Sequence, residues 1–332
     1  MKTPRSCAPS SVSYGAGPVA FVFPGQGSQY VGMGKALFDV SETARQVFKR
    51  ADEILGFALT RMCFEGPEQD LNDTINAQPA ILTVSIACLN VLRERWQAMG
   101  QVVAPRYVAG HSLGEFTALV AADVIDFENA LVLVRERGRL MKENGTLRPG
   151  GMLAVLGLDK DVVEAVVAEA GALGVITVAN ANSPGQIVLS GEGPALDRAT
   201  ELARARGASR VVRLPISIAS HSPLMARAAA QFGEIVARLP LRQPRVPVVA
   251  NITGTILTSA DDIRKELADH ILKPVQWTAS VVEMVARGSA EFLEIGPGQV
   301  LSGLIRRISQ DAHVVTLNDR EVARVLTPSP SG

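Results

Sequence analysis

From Val19 onward, short runs of β-branched and aromatic residues alternate with longer stretches of helical periodicity. That order is the signature of a largely parallel sheet wrapped by helices. VAFVF (19–23) reads as a buried strand ending at Pro24-Gly25. RYVAG (106–110), VPVVAN (246–251), EFLEIG (291–296) and HVVTL (313–317) are further strands. A core helix is expected from Pro79, where a first turn tolerates the missing N–H, through Trp96 to a stop at Gly100. Between about Gly151 and Ile216 the rhythm changes to strand, helix, strand, strand, helix, strand. That βαββαβ order matches a ferredoxin-like unit inserted into the larger α/β domain.

The chain of 332 residues is 47% hydrophobic, with 33 basic against 33 acidic residues. Such composition supports a large core without staples, and zero net charge gives no overall field to attract nucleic acid. Cys7, Cys63 and Cys88 have no C-x-x-C spacing and share the chain with only four histidines, which fits neither a disulfide framework nor a zinc site. A reducing, cytoplasmic setting follows, with no metal. The longest apolar stretch, Pro79 to Leu92, is interrupted by Thr83, Ser85 and Asn90, so no membrane span is expected. Residues 1–17 and 321–332 read as a flexible extension and tail.

Gly110-His111-Ser112-Leu113-Gly114 is a G-x-S-x-G set between a strand and a helix, the context a nucleophile elbow requires. It makes the large domain α/β-hydrolase-like, comprising residues 18–148 and 217–320, with 149–216 as the ferredoxin-like insert. Ser112 would stand at a helix N-terminus, with the Leu113 N–H aimed at a developing oxyanion. A serine needs a base. His111 should turn away on a tight elbow, and His313 begins a late strand. His221, in a polar loop where the insert rejoins the main domain, ranks ahead of His270. Phe23-Pro24-Gly25-Gln26-Gly27-Ser28-Gln29 fits no phosphate-binding pattern. Following a strand beside the elbow, it can supply a second oxyanion donor, the Gln26 N–H.

Eight segments, in order, resemble the malonyl-CoA:acyl carrier protein transacylases and the acyltransferase domains of polyketide synthases: FVFPGQGSQ (21–29), QPAILTVSIA (78–87), GHSLGEFTAL (110–119), Arg137-Gly138, NANSPGQIVLSG (180–191), ASH (219–221), KPVQW (273–277) and EIGPGQVLSGL (294–304). The resemblance implies ping-pong transfer of malonyl from coenzyme A to Ser112 and then to the phosphopantetheine thiol of an acyl carrier protein. His221 would be the base, Gln26 and Leu113 the oxyanion hole, and Arg137 the holder of the malonyl carboxylate. Asn180 and Asn182 would line the cleft. In the family a main-chain carbonyl, usually of a glutamine a few residues before P-V-x-W, orients the histidine. Counting back from Trp277 puts His270 there, a departure from the family pattern.

The tetrapeptide Ile218-Ala219-Ser220-His221 matches neither the malonyl nor the methylmalonyl signature of polyketide acyltransferases, and Ser220 leaves room that a Phe would fill. Arg204, Arg206, Arg210, Arg213, Lys273, Arg306 and Arg307 are candidates for docking an acidic carrier protein. No cofactor is expected, because a thioester is already activated. Competing readings are a hydrolase that clears acyl groups from carriers, a transferase for another acyl group such as methylmalonyl, and a non-catalytic carrier-binding module.

Overall fold

The computed structural model describes residues 18–326. The expected flexible extension 1–17, which includes Cys7, lies outside them, as do residues 327–332 of the expected tail.

Ten strands form two sheets: β1 (Val19–Phe23), β2 (Tyr107–Gly110), β3 (Gly151–Leu156), β4 (Ile176–Ser183), β5 (Gln186–Gly191), β6 (Arg210–Arg213), β7 (Val248–Val249), β8 (Ile256–Leu257), β9 (Glu291–Ile295) and β10 (His313–Leu317). The larger sheet runs β10-β9-β1-β2-β7-β8, parallel except for β8. All five β1 residues are buried, as expected of a central parallel strand covered on both faces. Register pairs Phe23 with Gly110, so the segments that follow β1 and β2 leave the sheet side by side at its carboxyl edge. Open α/β sheets bind ligands at that edge, where the strand order reverses.

β7 is shorter than the predicted 246–251 strand. Pro247 has no N–H to give the ladder, although its carbonyl accepts from Val108 N–H at 3.1 Å. Asn251 is drawn out of the strand by contacts described below.

The core helix also differs from expectation. It begins at Thr74 rather than Pro79, with the Asp73 side chain accepting from Ile75 N–H at 3.2 Å, and runs 25 residues to Ala98. As the sixth residue, Pro79 costs the ladder only the bond its N–H would give to the Ile75 carbonyl, after Ala77 N–H has already donated to Asp73 O at 2.8 Å. By length and composition this helix could cross a membrane, but 83% of its most apolar window is buried inside the protein. Against it lies the Phe127–Leu147 helix. The helices touch at Gly138, where a Cβ would stand 2.6 Å from the Thr74 carbonyl oxygen. That close approach sets Arg137 beside Gln78.

The smaller sheet, ordered β4-β5-β3-β6, is wholly antiparallel. Helices Lys160–Ala170 and Gly193–Ala205 pack on it through a separate apolar cluster including Leu153, Val163, Leu189 and Leu196. β4 hooks it to the larger sheet's side: Ala181 N–H donates to Val275 O at 2.9 Å and Val275 N–H to Ala179 O at 2.8 Å.

The expected tail is partly wrong. Residues Asp319–Leu326 form a helix with Val322 and Ala323 buried. Its first residue, fully buried Asp319, accepts from Tyr30 O–H and Gly34 N–H, each at 2.7 Å. An amphipathic pattern this short is hard to separate from the TPSPSG that follows it.

Candidate active site

Ser112 stands where β2 turns into the Gly114–Ala121 helix, at φ 48°, in the left-handed region that side chains avoid. The surroundings hold it there. Ser112 N–H donates to Asn251 Oδ1 at 2.7 Å and His111 N–H to Phe23 O at 3.1 Å. Only glycine fits on either side: a Cβ on Gly110 would lie 1.9 Å from the Gly114 carbonyl carbon, and one on Gly114 would lie 2.1 Å from Phe23 O. Because both obstacles are backbone, Gly114→Ala is expected to destabilise the protein by about 3 kcal/mol or more, beyond ordinary core overpacking. A thermal melt unchanged by this substitution would show that the elbow can relax.

Ser112 Oγ lies 2.8 Å from His221 Nε2. His221 also has a positive φ, 58°, and is fixed at both ends: its N–H donates to Ile271 O at 3.0 Å, and Nδ1 lies 2.9 Å from Lys273 O. This corrects the expectation for His270. The orienting carbonyl belongs to Lys273, three residues later. His270 N–H is still bonded to Leu267 O in the last turn of the Ala260–Asp269 helix, and the turn after it, with Leu272 and Lys273 N–H on Asp269 O, carries the Lys273 carbonyl to the imidazole. With Nδ1–H given to Lys273, Nε2 is left as an acceptor facing the serine. Burial pushes the His221 pKa well below 6.5, with the charge of Arg137 acting in the same direction.

Arg137 is 1% exposed. Its guanidinium donates to Gln78 Oε1 at 2.8 Å and to Ser112 Oγ at 3.0 Å, lies 3.3 Å from His270 Nδ1, and packs 5.6 Å from the centre of the Phe116 ring. Burial opposes its charge, and Glu115 supports it. A buried guanidinium beside Ser112 Oγ has the chemistry to bind an anionic group.

A cavity of about 190 Å³ joins these groups, lined by Gln26, Ser112, Arg137, Asn180, Ser220 and His221, with Met152 and Val188 among its apolar walls. Gln26 is exposed, and its side chain accepts from Thr74 O–H at 2.9 Å. Among the described residues neither the Gln26 N–H nor the Leu113 N–H has an intramolecular acceptor. His111 turns its Nε2 to Asn182 Oδ1 at 2.7 Å rather than to Ser112. His313 is exposed at the amino end of β10, 3.4 Å from Glu291, so it is not part of this cluster.

Three contributors were not foreseen as such. Asn251 holds the Ser112 N–H, Glu115 bonds Asn251 through its backbone and side-chain nitrogens, and Gln78 holds Arg137. Each lies within or beside a segment already singled out, but nothing in the sequence says that those segments meet. The basic candidates divide. Arg206 pairs with Glu169 and Arg213 with Asp197 on the small-sheet surface, and Arg306 bonds Val314 O. Arg307 bonds Gln186, which lines the cavity, and Lys273 is exposed beside His221.

A family model described as "Acyl transferase domain" matches residues 20–326. The chain belongs to the acyl transferase family. This acyl transferase is 40% identical over 306 residues to the malonyl CoA-acyl carrier protein transacylase of Bacillus subtilis, covering 91% of this chain and 94% of that protein. Its fold matches the crystal structure of an acyl carrier protein S-malonyltransferase from Vibrio cholerae with a TM-score of 0.87 at 39% identity, covering 93% of this chain and 99% of that one. A malonyl-transacylase in complex with its type II polyketide synthase acyl-carrier protein matches with a TM-score of 0.87 at 38% identity, over 93% and 98% of the two chains.

Proposed function

We propose that the protein is an acyl carrier protein S-malonyltransferase of the cytoplasm, and the observation that carries this is the contact between buried Arg137 and Ser112 Oγ inside the Ser112–His221 cavity. Ser112 Oγ attacks the thioester carbonyl of malonyl-CoA while His221 Nε2 takes its proton. The carbonyl oxygen becomes an oxyanion within reach of the Gln26 and Leu113 N–H groups. The intermediate collapses, the C–S bond breaks, and His221 returns the proton to the departing coenzyme A sulfur. The phosphopantetheine thiol of the carrier protein then attacks the malonyl-serine ester by the same steps in reverse, restoring Ser112. Both thioesters are activated and close in energy, so this route calls on no cofactor.

Arg137 exchanges its contact with Ser112 for the malonyl carboxylate, which selects dicarboxylic acyl groups and aims the thioester carbonyl at the serine. Hydrolysis would have no use for such a clamp. We assign residues 18–148 and 217–326 as the lobe that carries the nucleophile and base. Residues 149–216, bringing Asn180 and Asn182, form the lobe that closes the cleft, with Lys273 and Arg307 at its mouth facing an acidic carrier.

Intact-protein mass spectrometry after incubation with malonyl-, methylmalonyl- or acetyl-CoA, followed by a holo acyl carrier protein, tests this. A malonyl adduct on Ser112 that moves to the carrier is expected. An adduct lost to water with the carrier unloaded would establish the hydrolase. A methylmalonyl adduct formed in preference would mean that the space beside Ser220 admits an α-methyl group. Arg137→Ala should reduce the preference for malonyl over acetyl by roughly 10- to 100-fold, the ~1.5–3 kcal/mol of a charged hydrogen bond. Unchanged preference would make the arginine structural.

A further inference from the structure

Behind the clamp lies a second histidine and carboxylate that the acyl-transfer steps do not use. The side chains of His270 and Glu115 are both fully buried. His270 Nδ1 lies 3.3 Å from the Arg137 guanidinium nitrogen that also donates to Ser112 Oγ, and its Nε2 lies 3.3 Å from Glu115 Oε2, off the axis of a hydrogen bond. The ring stands edge-on to Phe116, centroids 5.1 Å apart, and Phe116 also carries the guanidinium. Glu115 accepts from Asn251, whose Oδ1 holds the Ser112 N–H. Contacts therefore run without a break from the guanidinium, through His270, Glu115 and Asn251, to the backbone of the nucleophile.

Chemistry fixes the direction of each link. A guanidinium only donates, so Nδ1 must be its acceptor and the ring proton must sit on Nε2, facing Glu115. We propose that His270 is a positioning residue for the acyl carboxylate: as a neutral Nε2–H imidazole backed by Glu115, it holds the Arg137 guanidinium turned toward Ser112 and so sets the preference for dicarboxylic acyl groups. Gln78 fixes one end of the guanidinium and His270 the other. With only Gln78, the group could rotate away from the serine. Burial and the neighbouring Arg137 both disfavour a charged His270, which keeps the acceptor available.

The inference rests on the acyl-transfer reading but fails separately from it. His270→Phe keeps a ring against Phe116 and removes the acceptor; His270→Gln removes the ring and keeps an acceptor oxygen. Ser112 acylation by malonyl- and acetyl-CoA is timed by intact mass for wild type and both variants. The Phe variant is expected to lose about tenfold in the malonyl-to-acetyl ratio, chiefly through KM for malonyl-CoA, as for one modest charged hydrogen bond. The Gln variant should keep the ratio within about threefold. The opposite ranking, or no change in either, overturns the proposal and leaves a packing role. Nitrogen-15 chemical shifts of the wild-type histidines give an independent decision should the Phe variant not fold: a His270 proton on Nδ1 overturns the proposal, and one on Nε2 supports it. Wild-type protein that takes up no malonyl would instead overturn the acyl-transfer reading.

Discussion

Ser112→Ala is expected to abolish both the acyl-enzyme and net transfer, lowering turnover by ~10⁴-fold or more, as when an active-site serine is deleted from other acyl-transfer enzymes. The substitution removes one oxygen, which contacts His221 Nε2 at 2.8 Å and Arg137 at 3.0 Å. Among the described residues the other hydrogen-bond partner of the His221 ring is the Lys273 carbonyl, which cannot serve as a nucleophile, so the covalent route closes. The elbow's backbone ties, Ser112 N–H to Asn251 and His111 N–H to Phe23 O, do not involve the lost atom. The variant should therefore melt close to wild type and still bind malonyl-CoA through Arg137. Intact mass and transfer of radiolabelled malonyl to a holo carrier are the readouts. Appreciable transfer by this variant would refute a ping-pong path through Ser112.

The second large effect belongs to His221. His221→Ala should slow acylation by ~10²–10⁴-fold, the usual range for a positioned general base. Its pH dependence is informative in the intact protein. Only the neutral imidazole can accept the serine proton, and burial and the charge of Arg137 both lower the pKa from 6.5. The base form therefore persists as pH falls through 6.5, and kcat/KM is lost only well below that value. Arg137→Ala should move this acid limb upward, because it removes a positive charge that disfavours imidazolium. A wild-type acid limb centred at or above 6.5 would mean that the imidazole is more solvated in solution than its 3% exposure implies.

How much of this was legible depended on where the information resides. Local pattern was enough for β1, β2, β9 and β10, and for the strand-turn-helix around Ser112, because period and glycine placement are written along the chain. It was also enough to set His221 above His313, since a polar loop at a domain junction and the start of a strand differ in sequence. The start of the core helix was misread because Pro79 looks like a first-turn residue, whereas the capping carboxylate of Asp73 lies six residues earlier. The carbonyl that orients His221 could not be assigned from sequence: a main-chain oxygen carries no residue identity, and a turn of three residues decides between His270 and Lys273. The Glu115–Asn251 contact spans 136 residues, and no local pattern encodes it.

The arrangement of the larger sheet also bears on how the protein is made. β1 lies between β2 and β9, and β9 is formed by residues 291–295, close to the opposite end of the chain. Because Val19 pairs with Glu291, one backbone edge of the Val19–Phe23 strand stays without its partner until β9 has been synthesised. Closure of so long a loop must precede the contacts that reward it, so the central sheet is a late and slow event. Until then that edge of the nascent sheet is open to pairing with other chains, and β9 is the strand that closes it.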